Sequence, residues 1–343
     1  MELTDQGEKA PADLGLPELK VSERAFASFG PREWDNFVLA SGGSFLGSWG
    51  VLRARRLFAS IKLLEFHAVN GLAAHKVGQC AVSVRRGTVT FLDRICLKPT
   101  YEHLWGRCFR LVTQGFRAKT YHYGSHWNQE ARSEISALDG SAAEAMLDDQ
   151  FHIDLIDFRD WTDFEAYFGS VSENVRRDYR KAKSTEARVE KRHGLAALRD
   201  VFALVRLRAE VMRKNHLRSS FLADYFVHVG KLAALRQSGF ITTVRMNGIC
   251  YSAFFGIEFG PNLYYISGGT TNNRYGFGSY LFLTLIQNWF AEHPDGKFVM
   301  GFCGGNRDDW TYSSGVLLYR KKLRVSSVDG MEFHLKIKPV PYG

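Results

Sequence analysis

The chain has 343 residues, 45% of them apolar and 14% aromatic, and a formal net charge of +9. Its length suits two domains better than one core, and its composition excludes a disordered chain. No stretch approaches 18 uninterrupted apolar residues, which argues against a membrane-spanning helix, and five scattered cysteines without a CxxC pair exclude a disulfide framework or a structural zinc site.

Residues Met1 to Lys20 carry acidic side chains and no apolar signal-peptide core, so 1–20 is expected to be a flexible tail of a cytoplasmic protein. Pro31 to Val38 predicts a short helix with Trp34, Phe37 and Val38 on one face. Three strands are expected over Lys62–Val69, Ala73–Val84 and Thr88–Leu97, with turns at Asn70-Gly71 and Arg86-Gly87. A helix from about Glu102 to Gln114, a strand at Thr120–Tyr123, a helix over Trp127–Ser136 and a strand at Phe151–Phe158 complete this half. His122 and His126 sit four apart but flank Gly124 in a strand-like segment, so they read as structural residues rather than a metal site.

The second half repeats the order. Ser172 is placed to cap a helix running to Lys183, with Val175, Tyr179 and Ala182 inward; a second helix spans roughly Leu195–Asn215. Strands follow at Phe240–Met246, Cys250–Phe259 and Leu263–Ser267, with turns at Asn247-Gly248 and Gly260-Pro261. A glycine-containing loop runs from Gly268 to Ser279 into a helix over Tyr280–Phe290, and strands are expected at Lys297–Phe302, Val316–Val325 and Met331–Ile337. Each half thus reads helix, three-stranded meander, helix, strand, which predicts a duplicated α/β unit. The boundaries expected are 21–158 for the first domain and 159–343 for the second.

The halves differ where chemistry is expected. Glycines at a helix start expose unpaired N–H groups on the positive end of the helix dipole, a seat for a phosphate. The second half has Gly276 and Gly278 there, whereas the first has Leu97-Lys98-Pro99-Thr100-Tyr101 and no such loop. A Walker loop would need Gly-Lys-Ser/Thr, but Gly278 is followed by Ser279-Tyr280; a dinucleotide fingerprint would need a glycine where Leu281 stands.

The segment Asn273-Arg274-Tyr275-Gly276-Phe277-Gly278 resembles the acyl-CoA loop of the GNAT acyltransferase superfamily, Gln/Arg-x-x-Gly-x-Gly/Ala, departing from it at Asn273. The whole chain, over roughly residues 31 to 325, resembles the tandem-GNAT group that includes the Fem-type aminoacyltransferases. Trp34-Asp35-Asn36-Phe37-Val38, Ser44-Phe45-Leu46-Gly47-Ser48-Trp49, the arginine-rich Val175 to Ala182, and Gly304-Gly305 with Tyr319-Arg320-Lys321-Lys322 carry this in order. The spacing between Gly305 and Tyr319 suggests an inserted substrate loop at 306–314, and no helical-hairpin arm is evident.

The resemblance implies two tandem GNAT-like domains, each a mixed, largely antiparallel sheet flanked by helices. It also implies direct attack of an amine on an activated acyl group, with no metal. Backbone N–H groups at Ile266 and Ser267 would polarise the carbonyl, and Asn273, Arg274, Gly276, Gly278 and Ser279 would hold the donor. Tyr319 or Tyr312 would protonate the leaving group, and Glu258, Asp308 or Asp309 would take the amine's proton. Cys303, a possible nucleophile, sits beside two glycines, where a small residue is wanted for space alone.

The charge separates two donors. Between Val171 and Arg218 fourteen basic residues face six acids, so nearly all of the net charge lies there. With acyl-CoA, the favoured donor, this excess assists the phosphates; with aminoacyl-tRNA, Arg176, Arg177, Arg180 and Lys181 would track the RNA backbone. A third reading is a nucleic-acid-binding module without catalysis. The acceptor is a small-molecule or peptide amine.

Overall fold

The structure is a computed structural model that describes residues 2–4, 17–70, 73–124, 143–216, 218–271, 274–303 and 314–337. The chain divides into two compact units, residues 1–150 with 329–343, and residues 151–328. The expected helix at 127–136 lies outside the described residues, as do Asn273, Asp308, Asp309, Tyr312 and the Gly304-Gly305 pair.

The first unit contains β1 (Glu2–Thr4), β2 (Glu18–Arg24), α1 (Pro31–Ala40), α2 (Trp49–Arg55), β3 (Ser60–Asn70), β4 (Ala73–Arg85), β5 (Thr88–Phe91), β6 (Cys96–Leu97), α3 (Trp105–Phe116) and β7 (Thr120–Gly124). Strands β2 to β5 form an antiparallel meander, and β7 adds to β5 in parallel, Val89 opposite Tyr121. The Arg86-Gly87 turn works as expected, because both residues adopt positive φ (46° and 80°), the geometry a two-residue hairpin needs. Part of the expected tail is strand: Glu2–Thr4 pair antiparallel with Lys20–Ser22. Behind the sheet, α3 buries Trp105, Cys108, Phe109, Leu111 and Val112 against Phe66, Val82, Phe91 and Tyr123.

The second unit begins inside β8 (Ala143–Asp157) and continues through α4 (Phe164–Ser170), α5 (Glu173–Lys183), β9 (Arg188–His193), α6 (Val201–Lys214), α7 (Phe221–Ala234), β10 (Gly239–Met246), β11 (Ile249–Phe259), β12 (Asn262–Thr270), α8 (Phe277–Glu292), β13 (Lys297–Cys303) and α9 (Ser314–Lys322). Its sheet order is β8-β13-β12-β11-β10-β9. Here too a meander, β10 to β12, is extended by a parallel strand, β13, reached through a helix. The Asn247-Gly248 turn again has positive φ at both residues (51° and 77°). The duplication expected from sequence is therefore present in topology.

Three features differ from expectation. The segment 316–325 was expected as a strand, but Ser314–Lys322 is helical; a short apolar run such as Val316-Leu317-Leu318-Tyr319 fits either period, and the burial of Leu323 with Tyr319 packed against the same core decides. Strand β9 and helix α7 were not anticipated, although Ser220 caps α7 through a 3.4 Å bond from the Ala223 N–H and Asp224 sits in its first turn.

The third concerns the boundary. The strand β14 (Ser326–Ile337) pairs antiparallel with β7 of the first unit, while residues 152–157 of β8, inside the second unit, pair with its β13. The last strand of the sequence therefore joins the sheet of the first unit, and the end of β8 joins that of the second. Hence the units divide near residue 150, and residues 329–343 group with the first unit rather than with the expected 159–343 domain.

Candidate functional site

The parallel ladder between β12 and β13 is short. It pairs Asn262 with Lys297, Leu263 with Phe298 and Tyr264 with Val299, then stops, although β12 continues to Thr270 and β13 to Cys303. Beyond Tyr264 the strands part, and the edge of β12 from Tyr265 onward carries no ladder to β13. On the other edge Phe255 pairs with Ser267 and Gly256 with Tyr265, so Ile266 is the extra residue of a β-bulge. A bulge re-aims the backbone locally, and here it falls where the strands separate. Arg320 of α9 reaches β13 beside this gap, donating to the Met300 carbonyl at 2.9 Å and to Asp154 Oδ2 at 2.7 Å.

The bulge at Ile266 distributes the side chains, since residues two apart on a regular strand would share a face. Tyr265 faces α8, packing with Phe254 and Phe282 at ring distances of 5.1 and 5.5 Å. Ser267 faces the opposite layer, where α6 and α7 lie. Gly269 is required sterically: a Cβ there would fall 2.4 Å from the Leu207 carbonyl carbon, because α6 rests directly on the strand.

After Thr270 the chain turns into α8. Gly276 is its N-cap, with φ 74° and ψ 30°, and the first intrahelical bond runs from the Tyr280 N–H to the Gly276 carbonyl at 3.1 Å. The N–H groups of Phe277, Gly278 and Ser279 precede that bond and have no carbonyl of their own helix to meet. Phe277 is fully buried, between Tyr251 and Tyr275, which anchors the loop. The helix begins three residues before the expected Tyr280, which brings Gly278 and Ser279 into its first turn.

Tyr319 of α9 comes to the same place. Its ring meets Phe282 edge-on at 5.9 Å, and its hydroxyl is buried with no hydrogen-bond partner. Ser279 lies beside it, without the geometry of a full hydrogen bond. Burial pushes the Tyr319 hydroxyl up to about 12; Ser279 opposes this slightly, and the charges of Asp178 and Tyr265 add to it. A phenol so placed keeps its proton at every physiological pH.

The loop borders α5. Asp178 lies against Gly276, leaving no space for a Cβ there. As expected, Val175, Tyr179 and Ala182 are the buried stripe of α5, and Arg177, Arg180 and Lys181 are exposed. Arg176 is half-buried, with its Nε unpartnered. Much of the remaining positive charge of this region is locally neutralised: Arg192 pairs with Asp200 and Glu190, Lys191 with Glu258, Arg208 with Asp224, and Lys214 with Glu210. Among the described residues, Arg177, Arg180 and Lys181 form no ion pair.

The sequence-derived candidates therefore separate. Ile266, Ser267, Gly276, Gly278, Ser279 and Tyr319 cluster around the parted strands and the start of α8. Arg274 is exposed beside the loop, donating to the Tyr275 hydroxyl at 2.9 Å. Glu258 is elsewhere: it pairs opposite Leu263 at the start of β12, about 23 Å of strand away from Thr270. There it binds Lys191 and His193. Asp178 and Tyr265 belong to the cluster but were not picked out from sequence, since only the α5–α8 contact and the strand's bulge place them.

Residues 169–312 match the family described as the acetyltransferase (GNAT) domain. No curated protein matches the chain. Among solved structures, FemX superposes with a TM-score of 0.70 at 9% identity, over 91% of this chain and 96% of FemX. L-PGS from Bacillus licheniformis gives 0.55 at 10% identity, over 91% and 93%. A tandem GNAT protein from the clavulanic acid biosynthesis pathway gives 0.54 at 11% identity, over 94% and 100%. A GNAT domain with parted strands beside a glycine-started helix defines an acyltransferase. Residues 169–312 are thus a GNAT domain, the chain as a whole shares the fold of these structures, and the non-catalytic reading gives way.

Proposed function

We propose that the protein transfers an acyl group from acyl-CoA to an amine by direct attack. The observation that carries this is the parting of β12 and β13 beside the N-terminus of α8, which offers a slot for the donor's arm and orphan N–H groups for its phosphates. Backbone at Ile266 and Ser267 polarises the carbonyl. The N–H groups of Gly278 and Ser279 meet the pyrophosphate, and Gly276 allows the turn. Tyr319 supplies the leaving group's proton.

Calorimetric titration with acetyl-CoA and with an unreactive desulfo analogue tests the donor. Saturable binding, abolished by Gly278→Trp in a folded protein, is expected; unchanged affinity in that variant removes the loop from the donor site.

A second reading, aminoacyl-tRNA as donor, is favoured by the exposed Arg177, Arg180 and Lys181, which form no ion pair among the described residues and lie on the helix whose Asp178 borders the same loop. Neutralising these three, with Arg176, cripples transfer from aminoacyl-tRNA while sparing acetyl-CoA. Equal loss with both donors makes the helix structural.

A further inference from the structure

The acceptor amine must lose a proton, and the described carboxylate candidate, Glu258, is engaged at the far end of β12. At the bulge itself stands a pair that the sequence reading did not assign. Ser267 Oγ lies 2.7 Å from His228 Nε2, and His228 Nδ1 lies 2.7 Å from the Asp224 carbonyl oxygen. A backbone carbonyl only accepts, so Nδ1 carries the proton and Nε2 is the acceptor for the Ser267 hydroxyl. The imidazole is 3% exposed and stands edge-on to Phe255 at 5.6 Å, which fixes its plane.

We propose that Ser267 and His228 form the proton-accepting relay for the attacking amine. This rests on the reading that an amine attacks an acyl donor at this strand. As the amine nitrogen bonds to the carbonyl carbon, its N–H breaks and its proton goes to Ser267 Oγ. The Ser267 proton passes to His228 Nε2. The tetrahedral species then collapses, the leaving group takes a proton from Tyr319, the imidazolium gives its proton to solvent, and the Tyr319 phenolate takes one back from solvent to close the cycle. Ser267 touches the substrate; His228 acts through it.

The charged groups around the ring are Asp224 and Lys231 on its own helix, and Arg208 from α6, paired to the Asp224 carboxylate. Strands β11 and β12 present Phe255 and Ser267 to it. Burial is the largest influence and lowers the imidazole's pKa; Lys231 and Arg208 lower it further, and the hydrogen bond to Asp224 opposes them. The resting ring is therefore neutral at pH 7 and free to accept.

Two readouts test this on the full chain. In protein labelled with 15N-histidine, the signal lost in His228→Gln identifies the ring. It is expected protonated at Nδ1 at neutral pH, titrating below the ordinary histidine range, and shifting upward in Ser267→Ala. Protonation at Nε2, or a titration that ignores Ser267→Ala, overturns the relay.

The second readout is transfer from acetyl-CoA, and from an aminoacyl-tRNA, to glycinamide and to the less basic hydroxylamine. Both variants are expected to lose 10²–10⁴-fold in kcat/KM with glycinamide and at least tenfold less with hydroxylamine. Equal loss with both acceptors makes the pair structural, and a stable acyl-Ser267 found by mass spectrometry makes the serine a nucleophile instead. If the wild-type protein transfers from neither donor, amine acylation itself fails and takes the proton role with it. The NMR result separates that failure from a wrongly assigned pair.

Discussion

Asp178 of α5 lies so close to Gly276 at the start of α8 that a Cβ on the glycine would sit 2.5 Å from the Asp178 Cβ and 3.0 Å from its Cα. This contact joins the basic helix to the glycine loop. It also sets a carboxylate beside the positive end of the helix that is proposed to seat a phosphate.

The two loop glycines should respond differently to alanine. Gly276 combines a left-handed φ with that collision, so Gly276→Ala is expected to destabilise by about 2–4 kcal/mol in urea unfolding. At Gly278 the nearest atoms to a new Cβ are those of the Thr270 side chain, at 3.2 to 3.6 Å. Gly278→Ala should change stability by less than about 1 kcal/mol. Equal losses would show that the Asp178 contact does not constrain the loop.

Asp178→Asn removes a negative charge from the anion seat. Binding of acetyl-CoA and of inorganic pyrophosphate should tighten roughly 2–5-fold, the range expected for one charge at a helix terminus. Calorimetry at low salt measures this. Unchanged affinity for both would place the phosphates away from α8.

Tyr319→Phe should lower kcat while leaving donor affinity nearly unaltered, because the hydroxyl acts on the leaving group. Stability at neutral pH should hold, since the hydroxyl is buried without a bond to lose. The alkaline limb reports the same group. Its folded pKa, about 12, lies above the ordinary 10, so its contribution is complete below pH 10 and lost as pH rises toward 12. The phenylalanine variant should therefore resist alkaline unfolding better in that window.

The first unit offers a pH test of its own. Asp93 is buried and accepts from the Ser44 N–H at 2.7 Å, yet burial outweighs these bonds and raises its pKa from 3.8 to about 6. A raised folded pKa means stability that is present below pH 4 and lost as pH rises through 6. Asp93→Asn should flatten this part of the unfolding profile and stabilise the unit at pH 7 by about 1–3 kcal/mol. A profile identical to wild type would mean that Asp93 is ionised without cost.

Local chemistry made much of this protein legible from its residues. Asn247-Gly248 and Arg86-Gly87 announced their hairpins because those turns need positive φ, and Val175, Tyr179 and Ala182 announced the inner face of α5 through helical spacing. The glycine pair at 276 and 278 likewise marked the start of a helix with free N–H groups, and the repeated order of elements marked a duplication.

Long-range contacts decided the rest. Nothing within Val316–Val325 distinguishes strand from helix until Leu323 is buried and Tyr319 packs against the same core. Placement of β8 and β14 in their sheets depends on pairings with partners far along the chain. Asp178 meets Gly276, and His228 meets Ser267, only because helices pack against strands that sequence spacing does not relate. The composition and order of residues determined which elements form and where a phosphate can sit. The tertiary structure alone determined which side chains share that site, because proximity across layers depends on packing, not on spacing along the chain.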